Sequence, residues 1–366
     1  MTTEATSLTR ALQALVGESV RRAGGWLPFD RYMALALYAP GLGYYANDTR
    51  KFGQMPSSGS DFVTAPEMSP LFGQALAAQV ADALIATGTD EVWEFGAGSG
   101  ALAAQLLQAL GPRVRRYTIV DVSGSLRLRQ QEKLAAFAPH VEWAGELPAA
   151  MRGVVVGNEV LDAMPVKLLA RINTAWHERG VSATGTDGAL AWADRPTELR
   201  PPVDIEGLHD YLTEIHPQGE AFVRTLADRL EGGAAFFIDY GFTESEYYHP
   251  QRHMGTLMCH RGHVADADPL PDLGQKDITA HVNFSGLALA AQEAGLPTLG
   301  YTTQARFLMN CGLVPLLAQA SLAARVAGHR LMAEHEMGEL FKVIGFYRGE
   351  FWDALGFREG DRTHTL

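Results

Sequence analysis

Three glycines within five positions, Gly96, Gly98 and Gly100, directly follow the apolar run "DEVWEF" and precede the helix-like run "ALAAQLLQAL". Glycines in that context allow a turn that side chains would block, and they expose backbone N–H groups to a ligand at the start of a helix. The next apolar segment, "RYTIVDV", reaches Asp121 at the spacing of a carboxylate that accepts hydrogen bonds from both hydroxyls of a ribose. Together these residues suit a cofactor that contains adenosine. They leave its identity open, because Ala101 lets the same loop satisfy the dinucleotide pattern GxGxxG/A, which nicotinamide cofactors share with S-adenosylmethionine. Without a cofactor the glycines would only make a tight turn, and Asp121 would cap the helix that starts at Ser123.

A second polar group stands in "VVVGNEVLDAMPV", where Asn158, Glu159, Asp162 and Pro165 follow an apolar strand. Packing does not explain that density of polar side chains. On a helix, Glu159 and Asp162 at i, i+3 would share a face and present two carboxylates side by side. The alternative is that both acids only complement the dipole at a helix N-terminus.

The elements that must position these groups alternate. From residue 89 the chain reads strand, glycine loop, helix, strand, helix, then "VEWAG" and "GVVVGNEV" as strands. Strands alternating with helices of about ten residues call for a parallel sheet in a doubly wound α/β fold, with ligands beyond the carboxyl ends of the strands. The segments "VKLLARI", "AWHERGV" and "ALAWA" predict a small antiparallel meander inserted after the fourth core strand. "AAFFIDYGF", "LPTLGYT" and "FKVIGFY" complete seven core strands, the last expected to enter antiparallel as an edge addition. Residues 1–88 read as an N-terminal helical cap, and 89–366 as the core, interrupted at about 166–215 and about 242–338.

Bulk properties exclude several classes. The chain of 366 residues is 47% hydrophobic and carries a net charge of −12, which disfavours nonspecific nucleic-acid binding and suits a basic partner segment. No window approaches the roughly 18 uninterrupted apolar residues of a membrane span. Cys259 and Cys311 are too few for a disulfide framework and point to a reducing compartment. His249, His253, His260 and His263, with Cys259 among them, have spacings that could ligate a metal, but no paired-cysteine motif accompanies them, and no metal site is assigned. Glu4 and Glu18 argue against a transit peptide in the arginine-containing N-terminus.

The blocks "LALYAPGLGYYA", "DFVTAPEMSPLFGQAL", "EFGAGSGAL", "GNEVLDAMPV", "FFIDYGF", "GTLMCHRGHVADADPLPDLGQKDITAHVNF" and "EMGELFKVI" occur in this order. In them the chain resembles the MidA-type S-adenosylmethionine-dependent methyltransferases from about Pro28 to Val343. Ala97 stands where that family commonly has proline. The resemblance implies a class I methyltransferase fold, S-adenosylmethionine as cofactor, and methylation of an arginine on a protein, a peripheral-arm subunit of respiratory complex I in the mitochondrial members. It also implies that Asp61, Phe62, Thr64 and Glu67 help close the active site and that Arg261 and His263 shape the substrate channel.

With that resemblance, cofactor binding is assigned to Glu94, Gly96, Ala97, Gly98, Gly100, Asp121, Val122 and Asn158. Arginine is a poor nucleophile, so carboxylates that clamp its guanidinium and take its proton are needed; Glu159 and Asp162 are assigned that work, with Asn158 positioning the substrate. Asp239, Asp277 and His281 are further candidates on the substrate side. A homodimer is one possible form. Composition points to a bacterial cytoplasm, with the mitochondrial matrix as the compartment of a eukaryotic chain. The rival readings are a nicotinamide-dependent oxidoreductase and a non-catalytic, cofactor-binding assembly factor.

Overall fold

The computed structural model describes residues 3–47, 63–121, 123–184 and 189–366. Its largest sheet contains β1 (Glu91–Phe95), β2 (Arg116–Val120), β3 (Val141–Ala144), β4 (Met151–Asn158), β5 (Leu230–Phe242), β6 (Thr298–Thr303) and β7 (Phe341–Arg348). They lie in the order β3-β2-β1-β4-β5-β7-β6, with Val282–Asn283 added beside the end of β5. Neighbours among β1 to β5 are parallel, whereas β7 is antiparallel to both β5 and β6. All seven segments expected to be core strands are strands. The order reverses between β1 and β4, which places a switch point at the glycine loop.

The sequence reading put β7 at an edge, and the structure corrects this: it lies between β5 and β6. Phe341 and Val343 pack into the core on one face, while Ile344 and Phe346 pack on the other. A strand buried on both faces needs a neighbour along each edge to pair its backbone groups.

Helices cover both faces. Helix α4 (Pro70–Thr87), following the short α3 (Ala65–Met68), packs with α5 (Ala101–Leu110) on one side. Pro217–Arg229 and Phe284–Glu293 cover the other. The side chain of Ser69 caps α4 at its start, and Gly88, at φ 60°, ends it. The cap assigned to 1–88 therefore divides, since α4 places Leu71, Phe72, Leu76 and Val80 in the same apolar cluster as Leu106, Val154 and Phe236.

The rest of the N-terminus belongs to a second lobe. Helices α1 (Thr3–Arg22) and α2 (Phe29–Tyr38) pack on an antiparallel sheet formed by Lys167–Ile172, Ala175–Thr184, Ala189–Pro196 and Tyr211–Ile215, joined by Leu27–Pro28. The expected meander is thus present, with one more strand. Leu12, Phe29 and Tyr32 from the N-terminus, Leu168 and Val181 from the first insertion, and Cys259 and Ile278 from the second share one apolar cluster. Cap and insertions are one body because none of them buries enough apolar surface alone.

The chain end docks back on α4. Asp82 Oδ2 accepts hydrogen bonds from the indole N–H of Trp352 at 2.9 Å and the amide of Leu355 at 3.1 Å. Asp82→Ala leaves both donors without an acceptor and should cost about 2 kcal/mol, read as a lower urea midpoint at unchanged slope. Asp82→Asn keeps one acceptor and should lose less; an alanine variant as stable as wild type would refute this anchoring.

Candidate active site

β1 ends at Phe95, and the chain then turns through Gly96, Gly98 and Gly100, at φ 62°, 52° and 78°, into α5. Side-chain-bearing residues rarely adopt such angles. A Cβ on Gly96 would also lie 3.0 Å from Val160 Cγ2. Beside the loop opens a cavity of about 840 Å³ reached from β1, β2, β4 and β5 and from both lobes.

Glu94, Gly96, Ala97, Gly98, Asp121 and Asn158 all line it, while Gly100 opens α5 just outside. Glu94 is 2% exposed and accepts the Tyr117 hydroxyl at 2.7 Å. Burial pushes its carboxyl up to about 8, against the pull of that hydrogen bond. Asp121, just past β2, is also raised by burial; its Oδ1 accepts from Ser123 N at 2.8 Å and its Oδ2 from Gln130 Nε2 at 2.9 Å.

Gln130 is a residue that the sequence reading missed. It is fully buried on α6 (Gly124–Lys133), donates also to Gly98 O at 3.0 Å, and accepts from Trp143 Nε1 at 3.0 Å. One side chain thereby ties the glycine loop, the β2 acid and β3 together. Its signal was a polar residue four positions from Leu126 and from Leu134, on the buried stripe of the helix.

Beyond β4 the structure departs from expectation. No helix follows, so Glu159 and Asp162 do not share a helix face. Glu159 instead takes a left-handed φ of 53°, and the chain bends into a turn closed by the Met164 amide on Leu161 O at 3.2 Å. Asp239, fully buried on β5, holds that turn: its Oδ2 accepts the backbone N–H groups of Val160, Leu161 and Asp162 at 3.1, 2.9 and 3.2 Å. Asp239 therefore lies behind the wall and does not face the cavity. A carboxylate collecting three consecutive amides substitutes for the helix start that the sequence suggested.

Glu159 and Asp162 both line the cavity. Asn158 Nδ2 donates to Glu159 Oε1 at 2.8 Å, while its Oδ1 is buried with no hydrogen-bond partner among the described residues. Glu159 is half-buried, and the surface it keeps faces the cavity. Burial, then the charge of Asp162, pushes its carboxyl up to about 8. Asp162, 4% exposed, is also raised, chiefly by burial and against a hydrogen bond from the Tyr240 hydroxyl. Among the described residues neither carboxyl is paired with a cation, and the charges acting most on Glu159 are those of Asp162 and Asp277.

The second lobe supplies the opposite wall. Tyr45 donates to both carboxylate oxygens of Asp277 at 2.9 Å, and Tyr38 donates to Ala163 O at 2.9 Å. His281 packs its ring edge-on to Tyr240 and Phe242, and burial drives its imidazole down to about 4, with Arg252 and Lys342 adding to the effect. Thr64 and Glu67 line the cavity beside the glycine loop, Glu67 accepting from the Ser99 hydroxyl. Asp61, Phe62 and Val122 lie outside the described residues.

Arg261 and His263 are not among the cavity-lining residues. Arg261 pairs with Asp272 at 2.8 Å and with Gln275 at 2.9 Å, and His263 occupies the turn after it. Met258 and His260 line the cavity in their place, while Cys259 is buried in the second lobe. In the strand Met258–Arg261 alternate residues point to opposite faces, so the motif named the right strand and the wrong face. Among the described residues no group of three metal-ligating side chains occurs.

The residues present fit an adenosyl cofactor: a glycine loop in left-handed conformation, the Asp121 carboxylate one strand over, and, on the strand to the other side, an Asn158 acceptor with no partner among the described residues. Comparisons with known proteins agree. A family model for S-adenosyl-L-methionine-dependent methyltransferases matches residues 75–302. A Burkholderia thailandensis protein solved with S-adenosyl-homocysteine bound is 50% identical, covers 100% of this chain and 99% of its own, and superposes with a TM-score of 0.95. The mitochondrial protein arginine methyltransferase NDUFAF7 of Danio rerio is 28% identical over 80% of this chain and 74% of its own, and that of Mus musculus is 27% identical over 87% and 80%.

The raised Glu159 carboxyl sets a pH dependence of stability. Unfolded, it releases its proton near 4.5; folded, near 8. Between those values the folded chain holds a proton that the unfolded chain has lost, so stability falls as pH rises, by up to about 1.4 kcal/mol per unit. Glu159→Gln removes that loss. Ligand-free variant and wild type should melt together near pH 4.5, with the variant higher at pH 8 by scanning calorimetry; a variant that melts lower at both pH values would contradict the assignment.

Proposed function

The chain belongs to this family of S-adenosyl-L-methionine-dependent methyltransferases, and we propose that within it the protein methylates an arginine of another protein. The observation that carries this reading is the carboxyl pair Glu159 and Asp162, raised by burial with neither paired to a cation among the described residues. Burying carboxylates is costly unless a positive group joins them. A guanidinium keeps its charge below a pH of about 12 and offers planar N–H donors that two carboxylates accept together.

Bound S-adenosylmethionine supplies an electrophilic methyl group, whose carbon–sulfur bond breaks as the nitrogen–carbon bond forms, sulfur keeping the electron pair. The residues that would hold it are Glu94, the glycine loop, Asp121 and Asn158. On the substrate side, Glu159 and Asp162 accept the guanidinium N–H bonds and concentrate electron density on the attacking nitrogen. Ionised Glu159 takes the proton that nitrogen loses. Asn158 orients Glu159 through its 2.8 Å hydrogen bond, and Asp239 fixes the turn that carries both acids. Asp277 and His281 shape the far end of the same pocket, with Thr64 and Glu67 closing it beside the glycine loop.

The names of the curated relatives support arginine as the acceptor. The resemblance to MidA-type enzymes supports a peripheral-arm subunit of respiratory complex I as the partner. A bacterial cytoplasm is the setting assigned, from the composition and the Burkholderia relative.

Glu159→Gln should lower methyl transfer to arginine peptides by at least about 100-fold while holding S-adenosyl-homocysteine within about 3-fold of wild type, measured with tritiated donor and by calorimetry. Wild-type kcat/KM should rise as pH passes about 8, where Glu159 ionises, and the variant should lose that limb. If donor binds but no labelled methyl reaches any arginine, the protein is instead a non-catalytic binder. Mass spectrometry of complex I subunits from cells with and without the protein tests the partner.

A further inference from the structure

The substrate end of the cavity changes sign between its depth and its mouth. Asp162 is 4% exposed, whereas Arg252, which also lines the cavity, is exposed. The Arg252 guanidinium stacks over Phe242, 3.8 Å from the ring centroid, and among the described residues it has no carboxylate partner. The Lys342 ammonium, buried behind the cavity wall, stands 6.0 Å from the same ring, donates to backbone carbonyls of Glu339 and Leu340, and is acted on by the charges of Glu339 and Glu246. Both cations help drive the His281 imidazole down, so their positive field reaches this wall.

The backbone under Arg252 is pinned. Its N–H donates to His249 O at 2.8 Å, and the next residue, His253, accepts from Leu212 N at 2.9 Å. A few residues on, the buried Glu214 carboxylate accepts the amides of Thr256 and Leu257 at 2.8 and 3.1 Å. Stacking fixes the plane of the guanidinium and leaves its N–H edge for a planar anion.

We propose that Arg252 is a subsite for an acidic side chain of the substrate, an aspartate or glutamate a few residues from the methylated arginine. The proposal rests on the arginine reading above, since it places the arginine among the deep acids and its acidic neighbour at the mouth. A lysine in the neighbour's position meets Arg252 and is repelled, which makes the subsite a device of selection as well as attraction.

The test uses arginine peptides with aspartate, alanine or lysine scanned through the flanking positions, against wild type, Arg252→Lys and Arg252→Glu. Wild type should favour aspartate over lysine at one position by about 10-fold, carried by KM and shrinking as salt rises. Arg252→Lys should keep the preference, and Arg252→Glu should reverse it toward lysine, which a merely structural contact with Phe242 would not do. Arginine-free acidic peptides binding to the protein loaded with S-adenosyl-homocysteine, followed by anisotropy, should weaken at least about 5-fold in Arg252→Glu. An unaltered preference in that variant, or none in wild type, overturns the subsite. Alanine-flanked arginine peptides left unmethylated overturn the arginine reading instead, and the anisotropy arm then decides the subsite alone.

Discussion

Everything at the site depends on keeping two acids, Glu159 and Asp162, out of bulk water at the tip of β4. Carboxyls in that position resist ionisation, and the fold lowers the penalty only in part: Asn158 donates to Glu159, and the Tyr240 hydroxyl bonds to Asp162. The turn that carries them would itself be unstable, with Glu159 in the left-handed region and three successive amides pointing away from solvent. A third acid, Asp239, collects those amides from behind. The sheet makes this possible because β5 runs parallel to β4 with Ile238 opposite Asn158 and continues past it, so Asp239, the next residue on β5, stands beside the turn that begins at Glu159.

That arrangement divides the work between the two lobes. The doubly wound core supplies the half of the cavity that suits the cofactor, through the glycine loop, Asp121 and the clamp made by Gln130. The other half of the cavity exists only because the N-terminal helices and both insertions fold together. Tyr45 reaches Asp277 across 232 residues of sequence, and Tyr38 reaches Ala163 across 125. A single apolar cluster holds these segments, so this wall of the cavity depends on the same packing that stabilises the lobe.

Much of this was legible in the residues. Glycines at alternate positions after an apolar strand have few other uses, and an acid beyond the next strand narrows those further; the seven strands announced themselves because strands buried on both faces are short continuous apolar runs. Asn158, Glu159 and Asp162 stood out because polar side chains after such a run have no packing role. What misled was local geometry. The i, i+3 spacing of Glu159 and Asp162 implied a helix, but Asp239 offered the same amides a better acceptor from 77 residues away.

The amino-acid sequence by itself determined the chemistry available: an adenosine cradle, a pair of acids over it, and the alternating elements that bring the two to one end of a sheet. Only the tertiary structure decided which neighbours count. It moved Asp239 behind the wall, exchanged Arg261 and His263 for His260 and Arg252, seated β7 inside the sheet, and recruited Tyr38, Tyr45 and Gln130. The reason is that periodicity tells which residues share a face, whereas the identity of what that face meets is set by long-range packing, where burial and hydrogen-bond satisfaction across distant segments outweigh any local preference.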